Sequence, residues 1–443
     1  MGYFHSIFSK EKKSLITKQI AAAIGLSLLF IIVYGTCNWI TSLRTDVGTL
    51  YFNWERLMPF IPIMIVPYMS IDLFFLGAPF LCRNSRELTV FSQRVIAAIL
   101  IAGGFFLIMP LKFAFARPVV TGWLGPIYQL LYVFDHPYNL FPSLHITLRT
   151  ILAYLYASKT KGFLRILVHI WFSLIGFSTV FTYQHHVLDV VGGFILAAFI
   201  FYLFREKKQA KIQAGNFRVG TYYLLGSIVS VMLAYLVWPW GVIFLWPGIS
   251  CGIITFGYFG MGPVIYKKES GKLPLSSKVI LLPCVLGQYV SLLYYKKACN
   301  PWDEVVKGVY IGRMLNSQEV KQVLNQGVCA VVDLTAEFSE QKDFISQNYI
   351  NIQILDLTPP TQDQIRTAVN FIDHFSKKCT VYIHCKIGYS RTAVITGAFL
   401  IKAGYAKTVN EAISLMRNFR PTLVVRKEAR KVLEEFVAFG VYT

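Results

Sequence analysis

A cysteine and an arginine lie close together near the C-terminal end of the chain, in the stretch HCKIGYSRT at residues 384–392. The backbone N–H groups of such a short loop, and the N-terminus of a following helix, can surround a phosphate dianion. The same positive field lowers the pKa of a thiol, so we expect Cys385 to attack phosphorus as a thiolate. Arg391 can hold two phosphate oxygens with its planar guanidinium group. The stretch therefore predicts phosphoryl transfer through a cysteinyl-phosphate.

The remaining residues of this loop are predicted to support the same chemistry. Three further loop residues are expected to contact the phosphate: Lys386 through its side-chain charge, and Gly388 and Ser390 as part of the turn of the backbone. Thr392 is expected to orient the thiolate or to assist hydrolysis of the covalent intermediate. His384 is expected to hold the loop by hydrogen bonding.

A leaving alkoxide needs a proton, and the sequence offers two aspartates for this general-acid role. Asp356 lies at the end of a predicted strand, before the proline-stiffened stretch LTPP, and is the preferred candidate. Its alternative role is that of a turn or cap residue. Asp363 is the rival, but it falls in the first turn of a predicted helix, where a negative charge suits the helix dipole. Asp333 is expected to be structural.

Alternating strands and helices surround these residues and predict an α/β domain at residues 301–443. The predicted strands cover 330–334, 351–357 and 380–383, and the predicted helices cover 318–326, 362–377, 393–401, 410–419 and 424–439. With its loop and its acid, this domain resembles the cysteine-based protein tyrosine and dual-specificity phosphatases. The resemblance implies a phosphate site at a strand-to-helix turn and a mobile general-acid aspartate at Asp356.

The lysine directly after the nucleophile refines the expected substrate. The run Cys385-Lys386-Ile387-Gly388 resembles the Cys-Lys-x-Gly arrangement of the phosphoinositide 3-phosphatase tumour suppressor and of the mitochondrial phosphatidylglycerophosphate phosphatase. This resemblance implies a strongly anionic lipid headgroup as substrate. The alternative is a lysine that is merely solvated.

The N-terminal part of the chain is too apolar for a soluble protein. Of the 443 residues, 55% are hydrophobic, and about eight apolar runs predict membrane-spanning helices. The runs cover 17–38, 57–82, 95–111, 144–158, 163–182, 187–204, 221–240 and 241–264. The first run is longer than a signal peptide and lacks a convincing cleavage signal. Residues 1–270 are therefore predicted to form a polytopic α-helical membrane domain.

The net charge of +20 does not predict nucleic-acid binding, because the lysines and arginines concentrate on alternate connections between the predicted spans. That distribution is typical of the cytoplasmic face of a membrane protein. The expected partners are therefore membrane lipids, with the basic side chains near anionic headgroups.

A second group of reactive residues opens two of the predicted spans. His145 follows Pro-Ser-Leu, and His185 lies four residues before Asp189, so that the carboxylate can orient the imidazole on one helical face. We expect His185 to be a nucleophile, His145 a general acid and Asp189 the orienting group. His186 is an alternative to His185, although it lacks an aspartate four residues on. Buried ionisable residues in a membrane are functional candidates because their burial is unfavourable.

Residues 90–205 resemble the type 2 phosphatidic acid phosphatase superfamily, which carries a Lys and Arg-Pro motif, a Pro-Ser-Gly-His motif and a Ser-Arg motif before His-x3-Asp. The resemblance implies that Lys112, Arg117 and Ser143 bind the phosphate. It also implies the predicted roles of the two histidines and the aspartate.

The motifs depart from that family in three places. Four residues rather than six separate Lys112 from Arg117, Leu144 replaces the glycine, and Thr179 stands where an arginine is expected. Such relaxed motifs resemble the sphingomyelin synthase and inositol-phosphorylceramide synthase branch. That resemblance implies transfer of a phospho-headgroup between lipids in place of simple hydrolysis.

The segment at 279–295 connects the two parts and has lysines at both ends. We expect residues 271–300 to contain an interfacial helix, which keeps the phosphatase domain in the reducing cytoplasm, with a ninth span as the alternative. The other seven cysteines show no paired spacing and are expected to be buried in a protein core or in the membrane: 37, 82, 251, 284, 299, 329 and 379.

Together these features predict a bifunctional enzyme of a bacterial inner membrane that acts on lipid phosphates. The membrane part would hydrolyse or transfer a phosphoester, on the face opposite the cytoplasm, and the C-terminal part would hydrolyse a phosphomonoester. No metal-ligand spacing is evident, and neither mechanism is expected to need a cofactor or a metal. The alternatives are a membrane-anchored protein phosphatase and a membrane part that only binds or flips lipids.

Overall fold

The computed structural model describes residues 2–205 and 215–440, and the chain divides into two compact units, Met1–Lys208 and Gln209–Thr443. In its described part, the first unit is built from α-helices joined by short 3₁₀ turns. These helices are α1 Gly2–Ser42, α2 Ile65–Gly77, α3 Ser85–Ile108, α4 Gly125–Phe134, α5 Leu144–Lys159, α6 Gly162–Phe181 and α7 Val187–Leu203.

Six helical segments of the described residues are long and apolar enough to cross a membrane: Ser14–Ser42, Pro62–Leu81, Ser85–Ile108, Gly162–Phe181, Phe217–Leu236 and Trp240–Tyr266. Helices satisfy all their backbone hydrogen bonds internally, as a hydrocarbon environment requires. The other two predicted spans coincide with α5 and α7, which have 16 and 17 residues. The prediction of an α-helical membrane part is confirmed.

Two neighbouring glycines allow α7 to approach the start of α5. A Cβ atom at Gly193 would lie 2.6 Å from the backbone oxygen of Ser143, and one at Gly192 would lie 2.5 Å from the ring of Phe141. Small residues at helix contacts of this kind are typical of membrane bundles. The contact also brings the N-terminal end of α7 towards the N-terminal end of α5, where the predicted histidines lie.

The second unit begins with further apolar helices and continues into a five-stranded sheet covered by helices. Its helices are α8 Phe217–Leu236, α9 Leu245–Phe256, α10 Leu275–Ile280, α11 Leu282–Tyr295, α12 Ser317–Asn325, α13 Lys342–Ile345, α14 Gln362–Ser376, α15 Ser390–Lys402, α16 Val409–Phe419 and α17 Lys427–Gly440. Its strands are β1 Trp302–Val306, β2 Val309–Gly312, β3 Val328–Thr335, β4 Asn348–Ile354 and β5 Thr380–His384. The predicted α/β domain is therefore present.

The strand order is β1-β2-β5-β3-β4, with β1 and β2 antiparallel and the other neighbours parallel. The central strands β3 and β5 are apolar along nearly their whole length because both faces are covered. In a parallel sheet the loops at the carboxyl ends of the strands form the usual ligand site. The loop after β5, which begins at Cys385, lies at that edge.

The strands differ from the sequence prediction in two places. The hairpin of β1 and β2 was not predicted, and β4 ends at Ile354 and not at residue 357. Asp356 therefore lies in the loop beyond the strand. β1 and β2 are short and polar at several positions, so their pattern alone gives little signal.

The segment predicted as an interfacial helix is divided at Leu281 into α10 and α11, and neither is long enough to be a membrane span by itself. Both helices contact α9, and α11 also contacts Tyr266, which follows α9. The indole nitrogen of Trp246 donates to the backbone oxygen of Val279, and Gln288 donates to the hydroxyl of Tyr266. The interfacial location remains a prediction.

A buried ion pair joins the apolar helices of this unit to the sheet. The ammonium group of Lys268 donates to Asp333 at 2.6 Å and to the backbone oxygen of Thr335 at 2.9 Å. Both charged side chains have no exposed surface, and the hydroxyl of Tyr349 also donates to Asp333. Burial by itself raises the pKa of Asp333, but the charges of Lys268 and His384, together with the hydrogen bonds from Lys268 and Tyr349, outweigh burial and lower that pKa to about 2. Asp333 is therefore a structural residue, as expected.

Replacing Lys268 by methionine is expected to destabilise the sheet by about 3–5 kcal/mol, because it leaves Asp333 buried without its cation. The pairing stabilises the fold above the ordinary carboxyl pKa, and this contribution is lost as the pH falls towards that of folded Asp333. Hydrogen exchange of β3 and β4 in the full-length protein measures the effect. The exposed Lys272→Met is the matched control, and equal protection in both variants would contradict the prediction.

Cys329 and Cys379, whose spacing in the sequence indicated no pairing, form a disulfide with a Cα–Cα distance of 6.0 Å. They lie 50 residues apart in the sequence, but β3 and β5 are neighbours and Val328 pairs with Thr380. Sheet pairing therefore brings together two cysteines that sequence spacing does not connect. Disulfides persist mainly in oxidising compartments, so this pair does not favour the predicted cytoplasmic location.

Candidate active sites

The loop between β5 and α15 surrounds the sulfur atom of Cys385. The backbone nitrogen of Gly388 donates to that sulfur at 3.2 Å. Gly388 has a φ of 77°, and a Cβ atom there would lie 2.4 Å from the backbone oxygen of Gly312, so no other residue fits this turn without movement. The guanidinium group of the buried Arg420 donates to the backbone oxygen of Ile387 and supports the loop from outside.

The electrostatic environment favours the thiolate form of Cys385. Burial by itself raises the pKa of this thiol, but the positive charge of Arg391, together with the hydroxyl of Thr392 and the backbone of Ile387, outweighs burial and holds the pKa below its usual value. The side chain of Cys385 is nearly inaccessible, at 3% exposure. A low thiol pKa is what nucleophilic attack at neutral pH requires.

Arg391 is fixed by a buried carboxylate that the sequence analysis did not identify. The two terminal nitrogens of Arg391 donate to Glu337 at 2.7 and 3.0 Å, in the bidentate geometry of a guanidinium–carboxylate pair. Glu337 follows the end of β3, at the same sheet edge as the loop. An acidic residue just after a central strand is the signal that could have indicated it.

The structure brings Asp356 and Lys386 to the same place as Arg391. One oxygen of Asp356 lies 3.2 Å from Arg391, and the other accepts a hydrogen bond from the ammonium group of Lys386. Lys386 is buried and not solvated, which contradicts the alternative considered for it. Burial by itself raises the pKa of Asp356, but the charges of Arg391 and Lys386 lower it below its usual value.

The other predicted residues of this site lie as follows. Thr392 is fully buried directly after Arg391, and Ser390 is the first residue of α15. His384 Nε2 lies 3.0 Å from Glu340. Burial by itself lowers the pKa of His384, but the charge and hydrogen bond of Glu340, together with the charge of Asp333, outweigh burial and raise that pKa. The rival acid, Asp363, is exposed in the first turn of α14 and makes no contact with the loop.

The loop that carries Asp356 is held by the apolar helices of the same unit. The hydroxyl of Tyr258, in the turn after α9, donates to the backbone oxygen of Asp356 at 2.9 Å. The side chain of Asn216, the N-cap of α8, donates to the backbone oxygen of Leu357 at 2.9 Å. Leu357 has a φ of 59°, so the turn here is tight. The rim of the phosphatase site is therefore formed in part by the ends of two candidate membrane helices.

Replacing Asp356 by asparagine is expected to lower kcat by about 10²–10⁴-fold, the usual contribution of a general acid. A general acid must be protonated, so activity should fall as the pH rises through the pKa of Asp356. The fall of the pH–rate profile should occur at higher pH for kcat than for kcat/KM. A bound phosphate competes for Arg391 and Lys386, and weaker contact with these two cations raises the pKa of Asp356 in the complex. This fall in activity at high pH should be absent from the profile of Asp356→Asn.

pH–rate profiles of the full-length protein measure this effect. Asp363→Asn is the matched control, and its profile should equal that of the wild type. A descending limb that disappears in Asp363→Asn and persists in Asp356→Asn would reverse the assignment.

The predicted histidines of the first unit line a cavity of about 260 Å³. His145 stacks on Tyr68 with a ring distance of 4.3 Å, and His185 lies with only 6% of its surface exposed. His145 Nε2 and His185 Nδ1 have no hydrogen-bond partner within the described part of the chain. Unpaired buried nitrogens are rare, so each of these two atoms can accept a partner from outside the protein, such as water or a ligand.

Asp189 and His186 have different partners from those that simple helical spacing suggests. His185 Nδ1 lies 3.7 Å from Asp189, which is beyond hydrogen-bond distance. The same carboxylate accepts from the backbone nitrogen of His186 at 2.8 Å. His186 Nδ1 lies 3.0 Å from Glu55, while its Nε2 accepts from the backbone of Ala114, so both ring nitrogens are occupied. This arrangement favours His185 over His186 as the reactive histidine.

The predicted phosphate ligands of this unit are not all near the cavity. Arg117 donates to Gln184, the neighbour of His185, and to the backbone oxygen of Asp135, which lines the cavity. Lys112 is exposed and does not line the cavity. The hydroxyl of Ser143 accepts from the backbone of α5 as its helix cap.

Among the residues in ranges 2–205 and 215–440, one group of three buried side chains has the spacing of metal ligands: Asp333, Glu340 and His384. The ammonium group of Lys268 lies against Asp333 and supplies the positive charge there. The arrangement therefore fits a charge network that supports the sheet.

Comparisons with known proteins agree with this geometry. Residues 309–438 match the family described as dual specificity phosphatase, catalytic domain, and residues 74–203 match the PAP2 superfamily. A phosphatidylglycerophosphate phosphatase of Arabidopsis thaliana, PTPMT2, is 28% identical over 144 residues, which are 30% of this chain and 62% of that protein. This chain thus spans less than two thirds of that relative.

Other relatives of the C-terminal part include protein phosphatases. The tyrosine-protein phosphatase CDC14 of Candida albicans is 31% identical over 105 residues, which are 23% of this chain and 19% of that protein. A crystal structure of PTPMT1 in complex with PI(5)P is 22% identical, with a TM-score of 0.30, and the match covers 31% of this chain and 96% of that one. The chain therefore combines a PAP2-superfamily domain at residues 74–203 with a dual-specificity phosphatase catalytic domain at residues 309–438.

Proposed function

We propose that the protein is a membrane phosphatase with two phosphoryl-transfer sites, both of which act on lipid phosphates. The observation that carries the lipid assignment of the cysteine site is the contact between its acid loop and the ends of α8 and α9. A phosphate held at Arg391 lies beside helices that are apolar enough for a membrane. The buried Lys386 adds a second cation, which suits an anionic headgroup. Relatives named as phosphatidylglycerophosphate phosphatases support the same substrate class.

At the cysteine site, the thiolate of Cys385 attacks the phosphorus atom of a phosphomonoester. Arg391 holds two phosphate oxygens and the loop amides hold the third. The bond between phosphorus and the leaving oxygen breaks, and Asp356 gives its proton to that oxygen. Water, activated by the ionised Asp356, then breaks the phosphorus–sulfur bond. Thr392, buried next to Arg391, is placed to assist this step.

At the histidine site, Nε2 of His185 attacks phosphorus, because Nδ1 is the nitrogen that faces Asp189. The bond to the leaving alcohol breaks, and His145 donates the proton that this alkoxide needs. Water or an acceptor alcohol then takes the phosphoryl group and the phosphorus–nitrogen bond breaks. Arg117, held beside His185 through Gln184, is the cation for the phosphate in this scheme.

Phosphate release from vesicles tests the lipid assignment of the cysteine site. Full-length protein is compared on phosphatidylglycerophosphate, phosphatidylinositol phosphates and a phosphotyrosine peptide. We expect kcat/KM on at least one lipid to exceed that on the peptide by about a hundredfold or more, since a tethered domain meets its substrate in the membrane plane. Equal or higher activity on the peptide would instead favour a membrane-anchored protein phosphatase. The CDC14 relative is named as a tyrosine-protein phosphatase.

A further inference from the structure

The backbone of the acid loop is held at two consecutive carbonyl groups. The hydroxyl of Tyr258 donates to the backbone oxygen of Asp356, and the side-chain amide of Asn216 donates to that of Leu357, each at 2.9 Å. Tyr258 lies in the turn after α9, and Asn216 is the N-cap of α8. Both donors lie outside 309–438, the range that matches the dual specificity phosphatase family. The acid loop is therefore held by residues that precede the family's catalytic domain.

The conformation of Leu357 shows what these two contacts contribute. A positive φ is unfavourable for leucine, so the φ of 59° at Leu357 persists because the surrounding structure stabilises it. The side chain of Leu357 is 36% exposed, and its packing offsets only part of this cost. The hydrogen bond from Asn216 acts on Leu357, and that from Tyr258 acts on the residue before it. Together they stabilise a turn that leucine by itself disfavours.

The side chain of Tyr258 is fixed by its packing against α8. Its ring stacks on that of Tyr223 with a centroid distance of 5.7 Å and an interplanar angle of 10°, and only 2% of Tyr258 is exposed. A Cβ atom at Gly215 would lie 1.9 Å from the backbone oxygen of Tyr258, so a glycine is needed for this close approach. Because its ring and its backbone are both held, Tyr258 presents its hydroxyl to the acid loop in a defined position.

The connection between α9 and α10 also contacts the loop that carries Glu337. The backbone nitrogen of Glu340, in that loop, donates to the backbone oxygen of Gly271 at 2.7 Å. Glu337 forms the bidentate pair that fixes Arg391. The same connection therefore supports the acid loop at one point and the loop that fixes the phosphate-binding arginine at another.

The supported position is one from which Asp356 can act as the acid. One of its oxygens lies 3.2 Å from Arg391 and the other is bound by Lys386, so the carboxylate faces the phosphate-binding loop. A general acid must lie within hydrogen-bond reach of the leaving oxygen. A misplacement of about 1 Å can lower a rate roughly a hundredfold. Hydrogen bonds at the backbone of the acid and of its neighbour therefore bear directly on the rate.

We propose that Tyr258 and Asn216 are positioning residues for the general acid of the cysteine site. Each acts through the backbone of the acid loop, and neither is assigned a contact with the substrate. The proposal rests on the proposed function for the role of Asp356 as the acid, and it does not depend on the lipid assignment. Two helices that are apolar enough to cross a membrane thereby also support catalysis.

Two aryl phosphates of similar shape test this role in the full-length protein. The para-nitrophenolate ion leaves readily, whereas phenolate needs the proton of a general acid. Tyr258→Phe removes one hydroxyl group, and we expect it to lower kcat on phenyl phosphate about tenfold more than kcat on para-nitrophenyl phosphate, with KM little changed. Tyr235→Phe, which changes an exposed tyrosine of α8, is the matched control and should keep the wild-type ratio. An equal loss on both substrates, or no loss, would overturn the proposal.

A second variant removes the other contact and keeps the helix cap. The side-chain oxygen of Asn216 accepts from the backbone nitrogen of Val219, and serine caps helices about as well as asparagine does. Asn216→Ser lacks the amide that reaches Leu357, so we expect the same selective loss on phenyl phosphate. Hydrogen exchange of residues 355–361 should be several-fold faster in this variant and in Tyr258→Phe, with β5 unchanged. Wild-type exchange of the acid loop in both variants would contradict the positioning role.

The Asp356→Asn variant separates this proposal from the assignment of the acid. It should lose more activity on phenyl phosphate than on para-nitrophenyl phosphate, and the addition of Tyr258→Phe should lower kcat on phenyl phosphate no further, because the two residues act as a unit. A wild-type ratio of the two rates in Asp356→Asn would overturn the acid assignment. The expected ratio in Asp356→Asn, with a further full loss in the double variant, would overturn the positioning role alone.

Discussion

Replacement of Cys385 by serine is expected to reduce phosphate release at the cysteine site by about 10⁴-fold or more, the scale on which loss of a nucleophile acts. The loop lowers the pKa of the thiol enough for a thiolate, but a serine hydroxyl in the same field stays protonated and attacks phosphorus poorly. The sheet and Arg391 do not depend on the sulfur, so the variant should still bind phosphate.

The measurement is release of inorganic phosphate from a lipid phosphate by the full-length protein, together with inhibition by added inorganic phosphate. Cys251→Ser, a free cysteine of α9, is the control and should have normal activity. Titration calorimetry with inorganic phosphate should show that the serine variant keeps its binding site. Phosphate release at the wild-type rate by Cys385→Ser would end the cysteinyl-phosphate mechanism.

The second large effect is expected for His185→Ala, which should reduce turnover in the membrane unit by about 10³-fold or more. The loss follows because the methyl group of alanine cannot attack phosphorus as the imidazole does, and because both ring nitrogens of His186 are occupied by Glu55 and Ala114. His145→Ala should reduce the same rate by about 10²–10⁴-fold, as removal of a general acid does.

Both histidine variants are best measured in the Cys385→Ser background, so that the cysteine site does not consume the product. Release or transfer of a labelled headgroup gives the rate, and acid-labile label on the protein reports a phosphohistidine. His169→Ala, an exposed histidine of α6, is the matched control. A labelled intermediate that persists in His185→Ala would show that another residue is the nucleophile.

Some elements and both domains could be predicted from the sequence, whereas one hairpin could not. The run before Cys385 predicted β5, and the apolar residues after Arg391 predicted α15, because a buried strand and a buried helix each have a clear pattern. The cysteine loop predicted the dual-specificity phosphatase domain, and the histidine motifs predicted the PAP2-superfamily domain. The family comparisons confirm both domains. The hairpin of β1 and β2 was missed because its strands are short and only partly apolar.

Ion pairs and disulfides between residues far apart in the chain could not be predicted from the sequence. Glu337 holds Arg391, Glu55 holds His186, and Lys268 neutralises Asp333, yet none of these pairs has a spacing that a helix or a turn would reveal. The same is true of Cys329 and Cys379, which only the pairing of β3 with β5 brings together.

The sequence by itself therefore determined the reactive groups and their local frame: the cysteine loop, the two histidines and the apolar helices. Local spacing is enough for these features because a loop, a helix face or a membrane span involves residues close in the chain. Only the tertiary structure decided which charges surround those groups, that Tyr258 and Asn216 hold the acid loop, and that two aspartates, Asp72 and Asp135, line the cavity with the histidines. Electrostatics and substrate fit depend on distances in space, and these are set when the elements pack together.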